Sequence, residues 1–542
     1  MAEIEFNLVD EPWIRVMKNN CSVQECSLLR VLLDSRNYQS LAGELPTQDV
    51  AILRLLLAIL HTVFYRVNLD GEDDPIEDED QALERWQMLW EMGHFPENPI
   101  REYLKCWRER FWLFHPEHPF YQVSAVEKSS SFPASKLNGE ISESNNKLRL
   151  FSSRAASYKD SLGFAEAARW LVTLLGFDDA ASTKVEIGAG AGWLGQHANV
   201  YAVGDNLFET LMLNLVFLRD GDTVWGENVP VWETPVPRAA KKREIPIPDN
   251  QAAILTLQSR RVKLIKGDNS NVTGYCATGG DYFGKDRVNK VHCEQMMQWG
   301  KKEEGKKKTI TLQQYVPQKA NADKLMWQDF EATVACSGEY IFGIAAWIRR
   351  LYRENIITNR IIHFSSVGVI YDKSGGSITD VVSDYLDFHV SLLKEAGKLW
   401  DKLIQDKIAL TEKTGKLLGK LAEALFKAAG GKPGSNAQKA RGLLASQTYY
   451  AAVDIPFRKW LASIDPELGD EEALRAEKDR EWRNKALWLA KNQAEEMIEQ
   501  AGNAAFKGRW VSEGKKEAFY SSSTAYNCFL RDVKNVFTSR TD

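Results

Sequence analysis

Paired cysteines are what this sequence most lacks. The seven present, Cys21, Cys26, Cys106, Cys276, Cys293, Cys336 and Cys528, are odd in number, scattered and never arranged as Cys-x-x-Cys. That excludes a disulfide framework or a zinc ribbon and points to a reduced, cytoplasmic protein. Cys276 and Cys293 with His292 could form part of a metal site, but no fourth ligand is evident, and buried free thiols are the simpler reading. A basic-then-apolar leader is absent too, since the chain starts Met1-Ala2-Glu3-Ile4-Glu5. The most apolar stretch, Val50 to Phe64, carries Arg54 and His61 and is too short to cross a bilayer. It reads as a buried helix with Thr47 as N-cap and Asp49 in its first turn. Hydrolase constellations are missing as well: no Ser-His-Asp set can be argued from spacing, and no Asp/Glu pair clusters outside one acidic run.

Glycine, by contrast, is concentrated in one place. Val185-Glu186-Ile187-Gly188-Ala189-Gly190-Ala191-Gly192-Trp193-Leu194-Gly195 holds four glycines in eight residues after a short β-branched run. Residues without Cβ accept positive φ and let another backbone approach, so such a loop can face a phosphate or a base edge with its amides. A dinucleotide or S-adenosylmethionine site is the tempting reading, with Asp205 as the acidic partner. Length opposes it. Only Gln196, His197, Ala198 and Asn199 precede the next strand, Val200-Tyr201-Ala202-Val203, and a parallel crossover needs about a dozen residues. An exposed glycine loop remains, or a plain turn between two strands.

At 542 residues with 44% apolar content, two or more domains are expected. The net charge of -5 argues against a uniformly basic nucleic-acid coat. Its distribution is uneven: from Lys241 to Lys308 there are 15 Lys or Arg against 8 Asp or Glu, a local +7 that leaves -12 elsewhere. A basic region on an acidic protein directs a polyanion to one face. Asp70 to Asp80 holds eight acids in eleven residues and reads as a solvated, mobile loop. In Phe114-His115-Pro116-Glu117-His118-Pro119-Phe120, two histidines and a glutamate suggest a metal. The prolines prevent the helical presentation of a zincin, which favours a packed turn.

Phe6 to Val16, read as two short strands around a turn, and Phe111 to Phe120 together closely resemble the CasA family, the large subunit of the type I-E CRISPR surveillance complex Cascade. The resemblance continues through Gly204-Asp205-Asn206-Leu207, Leu211-Met212-Leu213-Asn214-Leu215 and Leu257-Gln258-Ser259-Arg260-Arg261-Val262-Lys263-Leu264. It implies a non-catalytic, cofactor-free subunit that reads the protospacer-adjacent motif (PAM) in double-stranded DNA and holds the entering duplex for R-loop formation. Implied partners are the guide CRISPR RNA, the target DNA, the backbone, handle-binding and small subunits of Cascade, and the CRISPR helicase-nuclease, with no membrane.

The family's motif reader has a glycine loop, a minor-groove lysine and a hairpin wedge bearing a glutamine. By resemblance these fall on Gly188, Gly190 and Gly192; on Lys301 or Lys302, with Lys306 to Lys308 as rivals; and on the turn Lys373-Ser374-Gly375-Gly376. That turn has hairpin chemistry in its Gly-Gly pair but no glutamine, so a wedge would rest on Lys373 and backbone. The guide-handle loop falls on Asn145, Asn146 and Phe151. Lys147, Arg149 and Arg154 there give nucleic-acid-binding composition, with Phe151 as the stacking aromatic or a ring tucked into the core.

Beyond Ile378 the pattern turns helical: Leu386, Val390, Leu393, Trp400, Leu403 and Ile404 share one face, and Gly430-Gly431-Lys432-Pro433-Gly434 stops the run. A second helix, Gln438 to Ile464, should bend or break at Pro456. A third starts at Asp470 and carries Leu474, Trp482, Leu489 and Met497; a fourth carries Phe519, Tyr526, Leu530, Val533 and Phe537. The expected fold is α+β: a mixed domain over 1–378 with the glycine-rich loop, then an all-α four-helix bundle over 379–542. The competing functions are a methyltransferase built on the glycine loop, a metal-dependent nuclease using His115, Glu117 and His118, and a bare scaffold.

Overall fold

All but three of the 21 residues of helix Pro46–Arg66 are buried, and helices Glu97–Cys106, Phe164–Phe177, Leu207–Asn214 and Gln251–Leu255 pack against it. In the computed structural model the described residues are 4–124, 126, 130–139, 160–179, 190–235, 243–284, 287, 290–301, 315–334, 343–372, 377–394, 397–469, 471–513 and 516–538. Asn145, Asn146, Phe151, Gly188, Lys302, Lys373, Ser374, Gly375 and Gly376 lie outside them. The central helix starts earlier than the apolar run suggested. Pro46 occupies its first turn, Leu45 is the N-cap, and Thr47 is buried in the helix instead of capping it. Proline fits there because its missing N–H would have no helical partner. By length and composition this helix could cross a membrane, yet it is enclosed by the protein.

Two titrating groups on this helix act in opposite directions. Burial pushes His61 down to about 3, and neither ring nitrogen has a hydrogen-bond partner among the described residues. Its stability contribution is present above the unfolded value near 6.5 and is lost as pH falls towards 3. Asp49 is pushed up to about 6, first by burial, against the opposing amide of Gly43. Its folded form holds the proton more tightly, so stability is lost as pH rises from about 4 through 6. Relative to the parent, His61→Leu should therefore gain stability by up to about 1.4 kcal/mol per pH unit on acidification below 6.5. Asp49→Asn should lose relative stability over the acid half of that range. Urea midpoints between pH 4 and 7 that track the parent in both variants would contradict this.

The chain divides into two compact units, one of Met1–Lys324, Ala332–Thr358 and Ile362–Tyr385, the other of Leu325–Glu331, Asn359–Ile361 and Leu386–Asp542. In the first, helix Phe164–Phe177 packs on the central helix, and Arg260–Lys266 and Asn271–Gly279 form an antiparallel sheet with Ser130–Pro133 and Leu162–Gly163. The two segments that carried the family resemblance pair with each other, Glu5 opposite Phe114 and Asn7 opposite Trp112. The strands Glu5–Asn7 and Ile14–Lys18 are thus not partners; the second pairs with Val23–Cys26 and Tyr38–Leu41. The acidic run is held rather than free. Ile76 is buried and donates its N–H to Tyr65 at 3.0 Å, Asp74 pairs with Arg85, and Asp78 caps helix Glu79–Met92.

The second unit is helical. Helices Gly397–Ala428, Asn436–Ala462, Glu471–Glu499 and Ser522–Thr538 pack around Trp400, Tyr449, Phe457, Trp482 and Phe529. Three details differ from the sequence reading. Leu386 lies in strand Ile378–His389 and Val390 to Leu393 form a 3₁₀ turn, so the first helix begins only at Gly397. Asn436–Ala462 runs unbroken through Pro456, whose orphaned carbonyl at Ala452 belongs to a solvent-exposed residue. Phe519 is on a hairpin, Arg509–Glu513 with Lys516–Tyr520, inserted before the last helix. The third helix buries Trp482, Ala486, Ala490 and Ala494 at four-residue spacing. Leu474, Leu489 and Met497 are only half-buried there, because a stripe of small residues lets the neighbouring helices come close.

Candidate nucleic-acid interface

The glycine segment enters the described structure at Gly190. Its residues are fixed from below by two buried charge systems. Arg260, 2% exposed, donates from Nη2 to Gly190 O at 2.9 Å and to Asp179 O at 2.9 Å, while its Nε meets Asp178 Oδ2 at 2.8 Å. Gly192 donates its N–H to Asp178 O at 2.8 Å, and Trp193 donates its own to Ser259 Oγ at 2.9 Å. Beneath Trp193, its indole N–H reaches Glu294 Oε2 at 2.9 Å, and Glu294 takes Arg54 of the central helix in a two-point pair at 2.8 Å each. Burial alone would raise the Glu294 carboxyl; the Arg54 guanidinium overrides it and holds the group below its usual range.

The glycines divide by what surrounds them. A Cβ on Gly192 would lie 2.3 Å from the carbonyl oxygen of Gly176, and one on Gly195 would overlap the Tyr371 hydroxyl. Gly192 has φ of -55°, so close approach and not positive φ is what requires glycine there. At Gly190 nothing among the described residues stands within 4 Å of an added Cβ, and the residue is exposed.

After Gly192 comes a single 3₁₀ turn, Trp193–Gln196, and then strand Asn199–Val203, which pairs antiparallel with Ile361–Tyr371. This is not the parallel strand-turn-helix unit of a dinucleotide or methyltransferase site. Asp205 does not face a ribose position but lies exposed in the turn that Asn206 caps, with Asn206 accepting from Glu209 N at 3.0 Å.

Around that strand the structure gathers three candidate regions distant in sequence. Asn199 bridges to Met297, four residues before Lys301, which ends the strand Trp299–Lys301. Tyr371, the last residue of strand Ile361–Tyr371 and two before Lys373, donates to Phe177 O at 2.8 Å and abuts Gly195. The long strands Ile361–Tyr371 and Ile378–His389 are neighbours, closed by Asp372 N to Ser377 O at 2.9 Å, as a hairpin requires. The basic field is weaker than its count, since Arg260 and Arg261 are buried on Asp178 and Asp281, Arg243 also pairs with Asp281, and Lys266 pairs with Glu5. Sequence reasoning counted those arginines as surface charge. The motif Leu257 to Leu264 was the available signal that they do something else.

The other candidate sites do not assemble. His115 Nδ1 accepts the amides of Glu117 and His118 at 3.1 and 2.8 Å, which turns it into a cap for its own turn. Burial, then His118, lowers its basicity. Cys293 is buried and pushed up by that burial, and Cys276 lies in strand Asn271–Gly279. No group of three His, Cys, Asp or Glu among the described residues could hold a metal.

Residues 7–493 match the family profile described as CRISPR-associated protein Cse1. The chain belongs to the Cse1 family. A CasA/Cse1 protein of Thermus thermophilus is 26% identical over 512 residues, covering 89% of this chain and 93% of its own length. The crystal structure of Thermobifida fusca Cse1 superposes with a TM-score of 0.78 at 27% identity over 98% of each chain. A chain of a CRISPR RNA-guided surveillance complex, at 17% identity, shares the fold with a TM-score of 0.68 over 99% of this chain and all of its own. The two compact units are thus a Cse1 fold from end to end.

Proposed function

We propose that this chain is the non-catalytic large subunit of a type I-E CRISPR RNA-guided surveillance complex and that it reads the PAM with the glycine segment around Gly190. Cse1 membership and the full-length likeness to a surveillance-complex chain support the first part. Gly190 supports the second: it is a glycine that packing by the described residues does not require, held by its carbonyl at an exposed position. A backbone free of Cβ can enter a minor groove, where readout distinguishes mainly A·T from G·C. Lys301 or Lys302 would enter the minor groove beside it, and the Lys373–Gly376 turn would meet the opened duplex. Asn145, Asn146 and Phe151 would serve the guide handle. Recruitment of the helicase-nuclease is the role that the family resemblance adds.

The test uses the complex purified by co-expression with its genomic neighbours and checked for bound small RNA. A duplex library randomised beside the target gives the motif. Gly190→Val should then lower the affinity ratio of motif-bearing over scrambled duplex by about 1 to 3 kcal/mol. Binding to scrambled DNA should persist with the parental salt slope, about 0.9 per neutralised phosphate, since phosphate contacts carry no sequence information. A folded Gly190→Val complex with an unchanged ratio would remove the glycine segment from motif reading.

A further inference from the structure

The motif Leu257 to Leu264 has no role in the function proposed so far, although its residues converge on the glycine segment. Ser259 Oγ receives the Trp193 amide at 2.9 Å, and the Arg260 guanidinium bonds Gly190 O on one flank of residues 180–189 and Asp178 and Asp179 on the other. Both side chains are buried, and both come from consecutive residues at the start of one strand pair, Arg260 opposite Gly279. A planar fork holding acceptors on two chain segments fixes distance and direction together, which a point charge does not. The neighbouring Arg261 is a natural control. It is equally buried, but its guanidinium goes to Asp281 and Gln258 and, among the described residues, makes no bond to the glycine segment.

We propose that Arg260 and Ser259 are positioning residues for motif discrimination: they set the path by which Gly190 to Trp193 is presented to the DNA. The inference rests on the reading of Gly190 given above. Neither residue touches nucleic acid itself, so their loss alters selectivity without removing a phosphate contact.

Arg260→Lys keeps the charge beside Asp178 and loses the fork. Hydrogen exchange at the Gly192 and Trp193 amides should accelerate by about tenfold or more, since these amides are protected by the acceptors named above. The ratio of motif-bearing to scrambled affinity should fall about tenfold, within the span of one misread base pair, while scrambled-DNA affinity stays parental. Ser259→Ala, a smaller change that should fold if Arg260→Lys does not, removes the acceptor of the Trp193 amide and is expected to speed exchange there while lowering the ratio the same way by less. Arg261→Lys should leave the ratio unchanged. If Arg260→Lys and Ser259→Ala keep parental exchange, or if Arg261→Lys lowers the ratio equally, the positioning role is overturned. Faster exchange with an intact ratio, alongside a Gly190→Val variant that has lost it, would overturn positioning and leave the loop reading standing. An intact ratio in Gly190→Val would end that reading and this inference with it.

Discussion

Glu294→Ala is expected to destabilise the first unit by about 3–5 kcal/mol, the range for removing one member of a buried ion pair. Arg54 and Glu294 have side chains 2% and 0% exposed, so the alanine leaves a guanidinium in the interior with one remaining acceptor among the described residues, the carbonyl of Ile254. Trp193 loses its indole acceptor in the same step. The double replacement Arg54→Met with Glu294→Met should recover most of the loss, because it removes the stranded charge along with its partner. Denaturant unfolding of the parent, Glu294→Ala and the double variant decides the matter. A single variant unfolding within about 1 kcal/mol of the parent would mean that water reaches Arg54 and that the pair is not a closed system.

Gly192→Ala should be costly while Gly190→Ala should not. The new methyl at Gly192 would have to sit 2.3 Å from the Gly176 carbonyl oxygen and 3.1 Å from the Asp178 amide nitrogen. Both are backbone atoms, at the end of a helix whose other face is packed on Pro46–Arg66. Relief requires moving one segment, and overpacking of this kind typically costs about 1–3 kcal/mol or more. At Gly190 the methyl meets no described residue, and its loss of backbone freedom in the unfolded chain is mildly stabilising. Thermal midpoints of the two alanine variants, measured side by side, should separate clearly. Equal midpoints would place Gly192 in a looser setting than the structure gives it.

Periodicity and turn chemistry made the element types legible, because a long apolar run, a Gly-Gly turn and a 3.6-residue repeat each reflect local physics. The short spacing after Gly195 correctly ruled out a crossover helix for the same reason. What local pattern could not give was partnership. Glu5–Asn7 and Ile14–Lys18 look like a hairpin, but their partners are Trp112–Phe114 on one side and Val23–Cys26 with Tyr38–Leu41 on the other. The alanines of Glu471–Glu499 were passed over because burial there follows close approach instead of side-chain size. Arg260 and Arg261 were read as surface charge since a sequence shows charge without its partners. Those partners are Asp178, about eighty positions away, and Asp281.

The contrast between Gly192 and Gly190 bears on how homologous sequences are to be compared. Gly176, Gly192, Gly195 and Gly204 each stand where a Cβ would come within 3 Å of a neighbouring atom. At Gly192 and Gly204 the obstruction is partly backbone, so across an alignment those two would be held by steric selection alone, whether or not any DNA is bound. Gly190 has no such constraint from the described residues, so drift there would be free unless a partner forbids it. Substitution at Gly190 in a relative that recognises a different motif, with its four neighbours unchanged, is therefore the evolutionary signature to look for. Invariance of the whole glycine string would carry less information than variation at that one position.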